Sequence, residues 1–578
     1  MDVRFMRNLR LGGTADNFAM LASTIGALTQ HPAAIHLTSQ VDIPRVAMGM
    51  AGAGLAALTG NWLIARTRKA AFRQLIPSEV QIASDRPPYG FPGAGSWNGY
   101  LLGFCVDTGK PVVVPWEVLM KHISTIGASG FGKTVLGEWM IFQQIIAGGG
   151  LLWIDGKLDS DNLAMLDAMC AWAGRRGDLL VINPGDPSFS NTYNPVLYGD
   201  ADEVSSRVIS LIPSSEGSPA TDYYRQAANQ GITTLVDAIQ KAGLAYNFID
   251  LTILLQNQHA LSWLGGIIPT SSDAGRQFRI FLEQYKTVDR SGQISVDLKK
   301  LRDTFGGVGG RMHQFGSGNF GMLTNTYSPE VRLDRATTQN KIVYLALPTM
   351  GKPEAASNFG KMTLGDFRTS ISWVQAKPKA DRPWPPTLGL FDEAGSYVNQ
   401  TWARPFEQAR SAHTIMAPIV QTKANYDAVD EELREMITGN ANTKIYFKLG
   451  TSDTAEFAAE LIGMESKVIH SLSESGGGGE QRKPGDSAPT SASQTSTRGY
   501  SEREDEGYKV SMDMLKALDT GECVVTIGNS RCFHVRVPKL DFTDEFRRRI
   551  GPFQINRYRM PYVRGLDIFR DVDRWISK

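Results

Sequence analysis

Residues 127–134 read GASGFGKT, a match to the G-x-x-x-x-G-K-[ST] pattern of a phosphate-binding loop. A short β-rich run, HISTI at 122–126, precedes this loop, and an apolar run with helical periodicity, VLGEWMIFQQIIA at 135–147, follows it. A strand, a glycine loop and a helix N-terminus together present backbone N–H groups and the positive end of a helix dipole to an anion. The sequence therefore predicts ATP binding by eight consecutive residues: Gly127, Ala128, Ser129, Gly130, Phe131, Gly132, Lys133 and Thr134.

The chemistry of such a loop needs a cation, a metal ligand and an acidic partner on a neighbouring strand. We expect Lys133 to reach the β- and γ-phosphate oxygens and Thr134 to ligate Mg²⁺. Residues 387–393 read TLGLFDE, an apolar strand that ends in two carboxylates. We expect Asp392 to hold Mg²⁺ through its water shell and Glu393 to polarise the attacking water as the general base. Alone, this segment also fits a strand with a solvated acidic turn, but beside the phosphate loop it favours hydrolysis over storage of the nucleotide.

Two further residues complete the predicted catalytic set. Gln421 follows the apolar strand 413–420 (HTIMAPIV), where a glutamine can sense the γ-phosphate or orient water. Arg410 lies in the helix-like run 402–412 (WARPFEQARSA), and an arginine supplied by a neighbouring subunit can neutralise transition-state charge. From spacing alone, a surface charge for Arg410 and a strand-end polar group for Gln421 are the competing interpretations.

Length and composition bound the class of protein. The chain has 578 residues, which allows roughly three to five domains at about 100–200 residues each, and a hydrophobic fraction of 42%, which is globular. A net charge of +1 excludes a uniformly basic nucleic-acid coat but leaves local patches open. The mean hydropathy of −0.21 excludes a polytopic membrane protein and leaves room for one or two spans. Four scattered cysteines form no C-x-x-C pair, so neither a disulfide framework nor a zinc site is indicated.

The N-terminal region carries the membrane signal. Residues 46–65 form an uncharged apolar run of 20 residues, about the length that crosses a bilayer of ~30 Å, and arginines and a lysine follow it. The apolar run 18–29 is shorter, and the segment 30–43 between the two runs has no Lys or Arg. This pattern predicts an anchor of one or two transmembrane helices, and two of them would form a hairpin with both ends in the cytoplasm and a short external loop. An Ala/Gly-rich buried helix at 46–65 is the alternative.

The rest of the chain alternates strand and helix, which favours an α/β fold with a mostly parallel sheet covered on both faces. Strands are predicted at 111–116, 122–127, 151–154, 179–183, 341–347, 387–391, 413–420, 443–449, 522–527 and 532–537. The strand pattern stops between 194 and 340. Helices are predicted in that interval at 201–212, 220–242, 249–264, 274–287 and 294–305.

With these motifs in order, the chain resembles the type IV secretion coupling proteins, the TraG/TraD-type motors within the FtsK/HerA group of RecA-like ATPases. The matching landmarks span residues 100–540 and include LLWIDGKLDSD at 151–161 and LFDEAG at 390–395. The segment LLVINPGDPSFSNTYNPV at 179–196, with its asparagine-proline pair, is more specific than the phosphate-loop and acidic motifs, which many ATPases share.

The resemblance implies an architecture and an assembly. It implies a RecA-like nucleotide-binding domain with an inserted all-α domain on the cytoplasmic side, an N-terminal transmembrane hairpin and a homo-hexamer. Nucleotide then lies between subunits, with Arg410 donated by the neighbour. The predicted division begins with an anchor at 1–75, the first part of the motor domain at 76–195 and the inserted domain at 196–338. The second part of the motor domain follows at 339–540 and includes a disordered loop at 471–507, and a basic and aromatic tail ends the chain at 541–578.

Two of these segments were assigned from composition. Residues 471–507 are rich in Gly, Ser, Thr and Pro, which cannot bury enough apolar surface to offset chain entropy. The last 40 residues hold 10 basic and 6 acidic side chains interleaved with aromatic ones, a pattern that fits nucleic-acid or partner binding and equally a tail packed on the motor.

By resemblance, the expected function is an ATPase in the bacterial inner membrane that couples single-stranded DNA with a relaxase to a type IV secretion channel and drives its translocation. Inner-membrane components of the secretion system are the expected partners. A coupling ATPase for protein effectors, a double-stranded DNA pump and a low-turnover nucleotide-binding scaffold are the alternatives. The absence of a separate winged-helix-like module weighs against the pump, and the two intact carboxylates weigh against the scaffold.

Overall fold

The computed structural model describes residues 79–82, 98–212, 219–288, 294–481, 491–528, 531–571 and 573. The predicted membrane runs at 18–29 and 46–65 lie outside these residues. Among the helices that are described, none combines the length and the hydropathy that a bilayer span requires.

Strands and helices are numbered along the described chain. The strands are β1 (Glu79–Ile82), β2 (Gly99–Cys105), β3 (Pro111–Pro115), β4 (Ile123–Ile126), β5 (Leu151–Asp155), β6 (Leu179–Ile182), β7 (Lys286–Val288), β8 (Ile294–Val296), β9 (Ile342–Ala346), β10 (Thr387–Phe391), β11 (Thr414–Val420), β12 (Thr443–Tyr446), β13 (Met464–Gln481), β14 (Ser491–Tyr508), β15 (Glu522–Ile527), β16 (Arg531–Arg536) and β17 (Lys539–Phe542). The helices are α1 (Trp116–Leu119), α2 (Lys133–Ile146), α3 (Ser160–Trp172), α4 (Ala201–Ile209), α5 (Pro219–Lys241), α6 (Phe248–Gln256), α7 (Gln258–Ile267), α8 (Asp273–Glu283), α9 (Leu298–Gly316), α10 (Gly318–Thr324), α11 (Leu333–Thr338), α12 (Pro353–Gln375), α13 (Ala403–Gln408), α14 (Ala424–Asp427), α15 (Glu431–Asn440), α16 (Ser452–Ile462), α17 (Met512–Lys516) and α18 (Asp544–Ile550).

Eleven of the described strands build one large mixed sheet, in the order β3-β2-β16-β15-β12-β4-β11-β10-β5-β9-β6, and the other six form three two-stranded pairs, β1 with β17, β7 with β8 and β13 with β14. From β12 to β6 all neighbours run parallel, and from β12 to β3 they run antiparallel. Helices α2, α3 and α18 pack on one face, and α12, α15 and α16 pack on the other. The predicted α/β fold with a mostly parallel sheet covered on both faces is confirmed.

Strand β2 was not predicted; besides its pairing with β3 and β16, it is held by polar contacts with residues that are distant in sequence. The buried Gln143 side chain of α2 accepts from Leu101 N at 2.8 Å and donates to Leu101 O at 3.0 Å. Its neighbour Gln144 accepts from Tyr100 Oη at 2.7 Å and donates to the carbonyls of Gly150 and Pro386 at 2.7 Å each. The phosphate-loop helix thus holds β2 and the start of β5 by side-chain hydrogen bonds.

The insertion between β6 and β9 is helical as predicted, with two corrections. Strands β7 and β8 form a short antiparallel ribbon, so the insertion is not strictly all-α and the helix predicted at 294–305 begins later, at Leu298. The helix predicted at 249–264 is divided at Asn257, which leaves helical φ/ψ and caps α7 by accepting from His259 N and Ala260 N. The β-branched residues of the ribbon favour extended backbone over helix.

The asparagine-proline segment joins the motor to the insertion. Asn194 is buried, and its amide nitrogen donates to Tyr246 O and Thr326 O at 2.9 Å each. Close to it, the Arg207 side chain is fully buried and bonds to Asp366 at 2.8 Å and to the carbonyls of Pro195 and Tyr198. We call the pair of Arg207 and Asp366 the junction ion pair, because it joins α4 to α12.

Where the segment 471–507 is described, at 471–481 and 491–507, it forms paired strands and not the predicted disordered loop; its residues 482–490 lie outside the described residues. Strands β13 and β14 pair antiparallel from Met464 with Tyr508 to Gln481 with Ser491 and form a long two-stranded ribbon. A backbone ladder of this kind requires only main-chain groups, whereas the prediction of disorder was based on the lack of apolar side chains.

The C-terminal region is packed on the protein rather than detached from it. Beyond α18, residues 551–571 run as an extended strap past the start of β6 and on to the helical insertion. The Asn556 side chain donates to Arg176 O at 2.7 Å and to Leu179 O at 2.9 Å, and Leu566 N bonds to Ala245 O at 2.9 Å. Of the two interpretations of the tail, the structure therefore supports packing, while Tyr562 and Phe569 stay exposed on its outer side.

Candidate functional site

The predicted phosphate loop connects β4 to α2 at the carboxyl edge of the parallel strands. Two of its glycines require left-handed backbone, with φ of +82° at Gly130 and +106° at Gly132. A side chain at Gly127 would approach Phe447 Cβ to 2.5 Å, so close packing against the next strand demands glycine there as well. The loop backbone is also tied to its neighbour, since Ala128 N bonds to Lys448 O at 2.7 Å.

Lys133 and Thr134, the loop residues predicted to bind phosphate and Mg²⁺, face the acidic strand. Lys133 is buried, its Nζ donates to Ala128 O at 2.9 Å, and burial lowers its pKa while Glu393 and Asp392 oppose that shift. Thr134 Oγ1 donates to Asp392 Oδ2 at 3.3 Å. The hydroxyl and the carboxylate predicted to hold Mg²⁺ are therefore in direct contact.

Strand β10 brings the two carboxylates to this edge because it lies between β5 and β11 with all three parallel. Asp392 is 1% exposed, and burial raises its pKa to about 6, with Lys157 opposing the rise and Glu393 and Asp155 adding to it. A buried carboxylate with two acidic neighbours is a site where a cation is stabilising.

Two of the predicted site residues, Glu393 and Gln421, are in contact. Gln421 Nε2 lies 3.0 Å from both carboxylate oxygens of Glu393. Glu393 adopts left-handed backbone, with φ of 51°, which is uncommon for a non-glycine residue and is often found at functional sites. The strand-end glutamine thus contacts the predicted general base directly.

Lys157 is a site residue for which the sequence analysis gave no role. It follows β5, and its Nζ lies 2.9 Å from Glu393 Oε1 and 4.0 Å from Asp392 Oδ2. The signal was present in the landmark 151–161, where a lysine follows a buried strand by one turn, but the sequence alone did not indicate which strand lies beside it. We call Lys157, Asp392, Glu393 and Gln421 the carboxyl-edge cluster.

Arg410 lies away from this cluster. It is exposed and precedes β11, whereas Gln421 follows the same strand, so the seven residues of β11 at ~3.3 Å each separate them. Arg410 therefore does not reach the phosphate loop of its own chain, and its predicted role requires a second copy.

Near Arg410, His122 is buried, its Nδ1 accepts from Met416 N at 3.2 Å, and burial lowers the pKa of His122 to about 4.

The residues present fit a magnesium nucleotide. The loop offers the N-terminus of a 14-residue helix, a lysine and a hydroxyl, and the adjoining acidic strand offers the buried carboxylate of Asp392. Oxygen ligands of this kind, few in number, are what Mg²⁺ uses when phosphates supply the rest.

Comparison with known sequences agrees with the landmarks. The family model described as the TraM recognition site of TraD and TraG matches residues 386–512, a range that contains Asp392, Glu393 and Gln421. The type 4 coupling protein DotL of Legionella pneumophila (strain Philadelphia 1) is 23% identical over 415 residues, which are 62% of this chain. The match spans about half of that relative, 51% of its length.

Solved structures share the fold. The unbound bacterial conjugative coupling protein TrwBdeltaN70 has a TM-score of 0.52 and 11% identity, over 77% of this chain and 88% of that chain. TrwB in complex with the non-hydrolysable GTP analogue GDPNP has a TM-score of 0.51 and 13% identity, over 79% of this chain and 92% of that chain. The large mixed sheet of this chain thus has the same RecA-like fold as these structures. Together with the sequence comparisons, this likeness confirms the resemblance to the type IV coupling proteins.

Proposed function

We propose that this chain is an ATPase that couples single-stranded DNA with its relaxase to a type IV secretion channel and powers translocation. The observation that carries the proposal is the contact between Thr134 and Asp392, which places the phosphate loop and the acidic strand in one site beside Glu393. As the family resemblance of the sequence implies, the proposed ATPase acts as a hexamer in the bacterial inner membrane, anchored through residues 1–75. Residues 386–512 offer the region through which a TraM-like partner is recognised, as the description of their family model suggests.

Within the proposed site each residue has a defined task. Lys133 binds the β- and γ-phosphates, and Thr134 and Asp392 hold Mg²⁺, which neutralises phosphate charge when bound. Glu393 accepts the proton of a water whose oxygen attacks the terminal phosphorus, while the bond from that phosphorus to the bridging oxygen breaks. Gln421 fixes the orientation of Glu393, and Arg410 of a neighbouring copy stabilises the charge that develops.

The test is ATP hydrolysis by the full chain, with and without single-stranded DNA. We expect hydrolysis that DNA stimulates, and a loss of about 10²-fold or more for Lys133→Ala and for Glu393→Gln, since a general base contributes about 10²–10⁴-fold. Turnover that survives either substitution contradicts the assigned site. Hydrolysis that responds to an effector protein but not to DNA favours protein cargo instead.

The trans role of Arg410 has its own test. We expect Arg410→Ala to lower turnover by about 10³-fold or more while ATP affinity changes little. Arg404→Ala is the matched control, because Arg404 is an exposed arginine of the adjacent helix paired with Glu407. An Arg410→Ala protein that binds ATP poorly, or that keeps its turnover, excludes the role.

A further inference from the structure

The turn that follows β5 is held by one buried carboxylate. Asp155 is fully buried and accepts four hydrogen bonds, from Lys157 N at 2.8 Å, Asp159 N at 3.3 Å, Asn162 Nδ2 at 2.8 Å and Tyr344 Oη at 2.7 Å. The backbone of Lys157 is therefore fixed, and only its long side chain can move from one ionic partner to another.

The same turn is pressed against the acidic strand. A side chain at Gly156 would lie 2.8 Å from Glu393 Cβ and 3.1 Å from Asp392 O, so the approach requires a glycine. This contact places the amine of the next residue, Lys157, beside both carboxylates. The proximity thus follows from backbone packing and not from a chance rotamer.

In this arrangement both carboxylate oxygens of Glu393, the predicted general base, already have partners. Glu393 Oε1 contacts Lys157 Nζ at 2.9 Å, and both of its oxygens lie 3.0 Å from Gln421 Nε2. Asp392 Oδ2 is shared between the Lys157 ammonium, at 4.0 Å, and the Thr134 hydroxyl, at 3.3 Å. The Asp392 carboxylate therefore lies between the Lys157 ammonium and Thr134 at the N-terminus of α2, where the phosphates are expected to bind.

The Lys157 side chain is 40% exposed, and the hydrogen-bonding and ionic partners described for its amine are these two carboxylates. A lysine amine is a compact charge on a flexible stem, and a half-exposed ion pair contributes little to stability, so it is readily exchanged for a more highly charged anion. A triphosphate at the phosphate loop supplies such an anion, whereas a diphosphate lacks the terminal group.

We propose that Lys157 is a counter-ion that exchanges partners: it pairs with Glu393 in the nucleotide-free protein and with the terminal phosphate of a bound nucleoside triphosphate, which frees Glu393 for water. The inference rests on the proposed function of the site. It makes Lys157 a recognition element for the terminal phosphate that is supplied from the turn after β5, separate from the loop lysine.

The test compares a triphosphate with a diphosphate at equilibrium. We expect Lys157→Met in the full chain to weaken binding of a non-hydrolysable ATP analogue with Mg²⁺ by about tenfold, the value of one charge-assisted hydrogen bond, and to leave ADP affinity within about twofold. Lys157→Arg keeps the charge and is expected to restore most of the triphosphate preference. Equal weakening of both nucleotides, or no change in either, overturns the exchange.

Two further variants separate this inference from the proposed function. Lys341→Met is the matched control, because Lys341 also pairs with a carboxylate, Asp178 at 2.7 Å, but precedes β9 at the opposite edge of the sheet. We expect it to bind both nucleotides normally. If Lys133→Ala loses both nucleotides while Lys157→Met loses neither, only the exchange fails; if Lys133→Ala binds both normally, the proposed site fails as well.

Discussion

The junction ion pair and the carboxyl-edge cluster both bring a cation to a carboxylate that is largely shielded from solvent, yet they are built differently. Arg207 is fully buried and its guanidinium is surrounded by Asp366 and by backbone carbonyls that hold it in place. Lys157 is 40% exposed, and its described partners are the carboxylates of Asp392 and Glu393. The junction ion pair is held in one geometry, whereas in the carboxyl-edge cluster an anionic ligand can replace the carboxylates as the partner of Lys157.

The largest expected effect is on the junction. Arg207→Met leaves the Asp366 carboxylate, which is only 13% exposed, without its cation, and removal of one partner of a buried pair costs about 3–5 kcal/mol. Chemical denaturation of the nucleotide-free protein measures this loss. Arg404→Met, which removes an arginine that is 70% exposed, serves as the control and is expected to cost less than about 1 kcal/mol. Equal losses for the two variants would remove the distinction between fixed and exchangeable pairs.

The next effect concerns a third buried group, the imidazole of His122, and depends on pH. Burial lowers the pKa of His122 to about 4, from the usual 6.5, with the nearby Arg410 lowering it further and a backbone hydrogen bond with Phe406 opposing the shift. The unfolded chain therefore binds a proton between pH 6.5 and 4 that the folded protein does not, so stability falls as the pH drops through this window. The loss approaches about 3 kcal/mol at the acid end.

His122→Asn tests this pH dependence, because asparagine tolerates the left-handed φ of 68° at this position and does not titrate. We expect the difference in unfolding free energy between the two proteins to shrink by up to about 3 kcal/mol as the pH falls from 7 to 4. Two stability curves that stay parallel over this range would show that His122 titrates normally.

A smaller effect is expected at the exchangeable cluster when its backbone is displaced. Gly156→Ala forces a side chain against Glu393 Cβ, 2.8 Å away, and is expected to cost about 1–3 kcal/mol of stability and at least tenfold in ATP turnover. Gly177→Ala is the matched control, since nothing lies within 4 Å of its added atom. Unchanged turnover in Gly156→Ala would mean that the position of the turn does not matter for the base.

The smallest effect completes the comparison. Lys157→Met is expected to change the unfolding free energy of the nucleotide-free protein by less than about 1 kcal/mol, since a half-exposed pair is largely screened by water. The measurement is the same denaturation experiment used for Arg207→Met. A loss of several kcal/mol would place Lys157 among the fixed structural cations.

Much of the fold could be predicted because its elements carry local signals. The apolar runs of β4, β10 and β11, and the glycine loop before α2, each specify a strand or a turn within a few residues. Strand β2 could not be predicted, because its backbone is held by Gln143 from a helix that follows later in the chain. Its glycines and short apolar run give little pattern on their own.

The candidate site divides in the same way. Lys133, Thr134, Asp392, Glu393 and Gln421 were predictable because each follows a recognisable strand, and the structure brings all five together. The role of Lys157 was not, since it depends on β5 and β10 being neighbours, which is a property of the sheet order. Arg410 stays a prediction, because its partner site belongs to another copy of the chain.

The strap has a consequence for how the molecule is made. Its residues are synthesised after both the parallel sheet and the helical insertion, and they hydrogen-bond to both, through Asn556 at one end and Leu566 at the other. Domains that emerge early from the ribosome can fold before the chain is finished. The sheet and the insertion can therefore acquire their own cores during translation, but the band that ties them together can close only after residues 551–571 have been released.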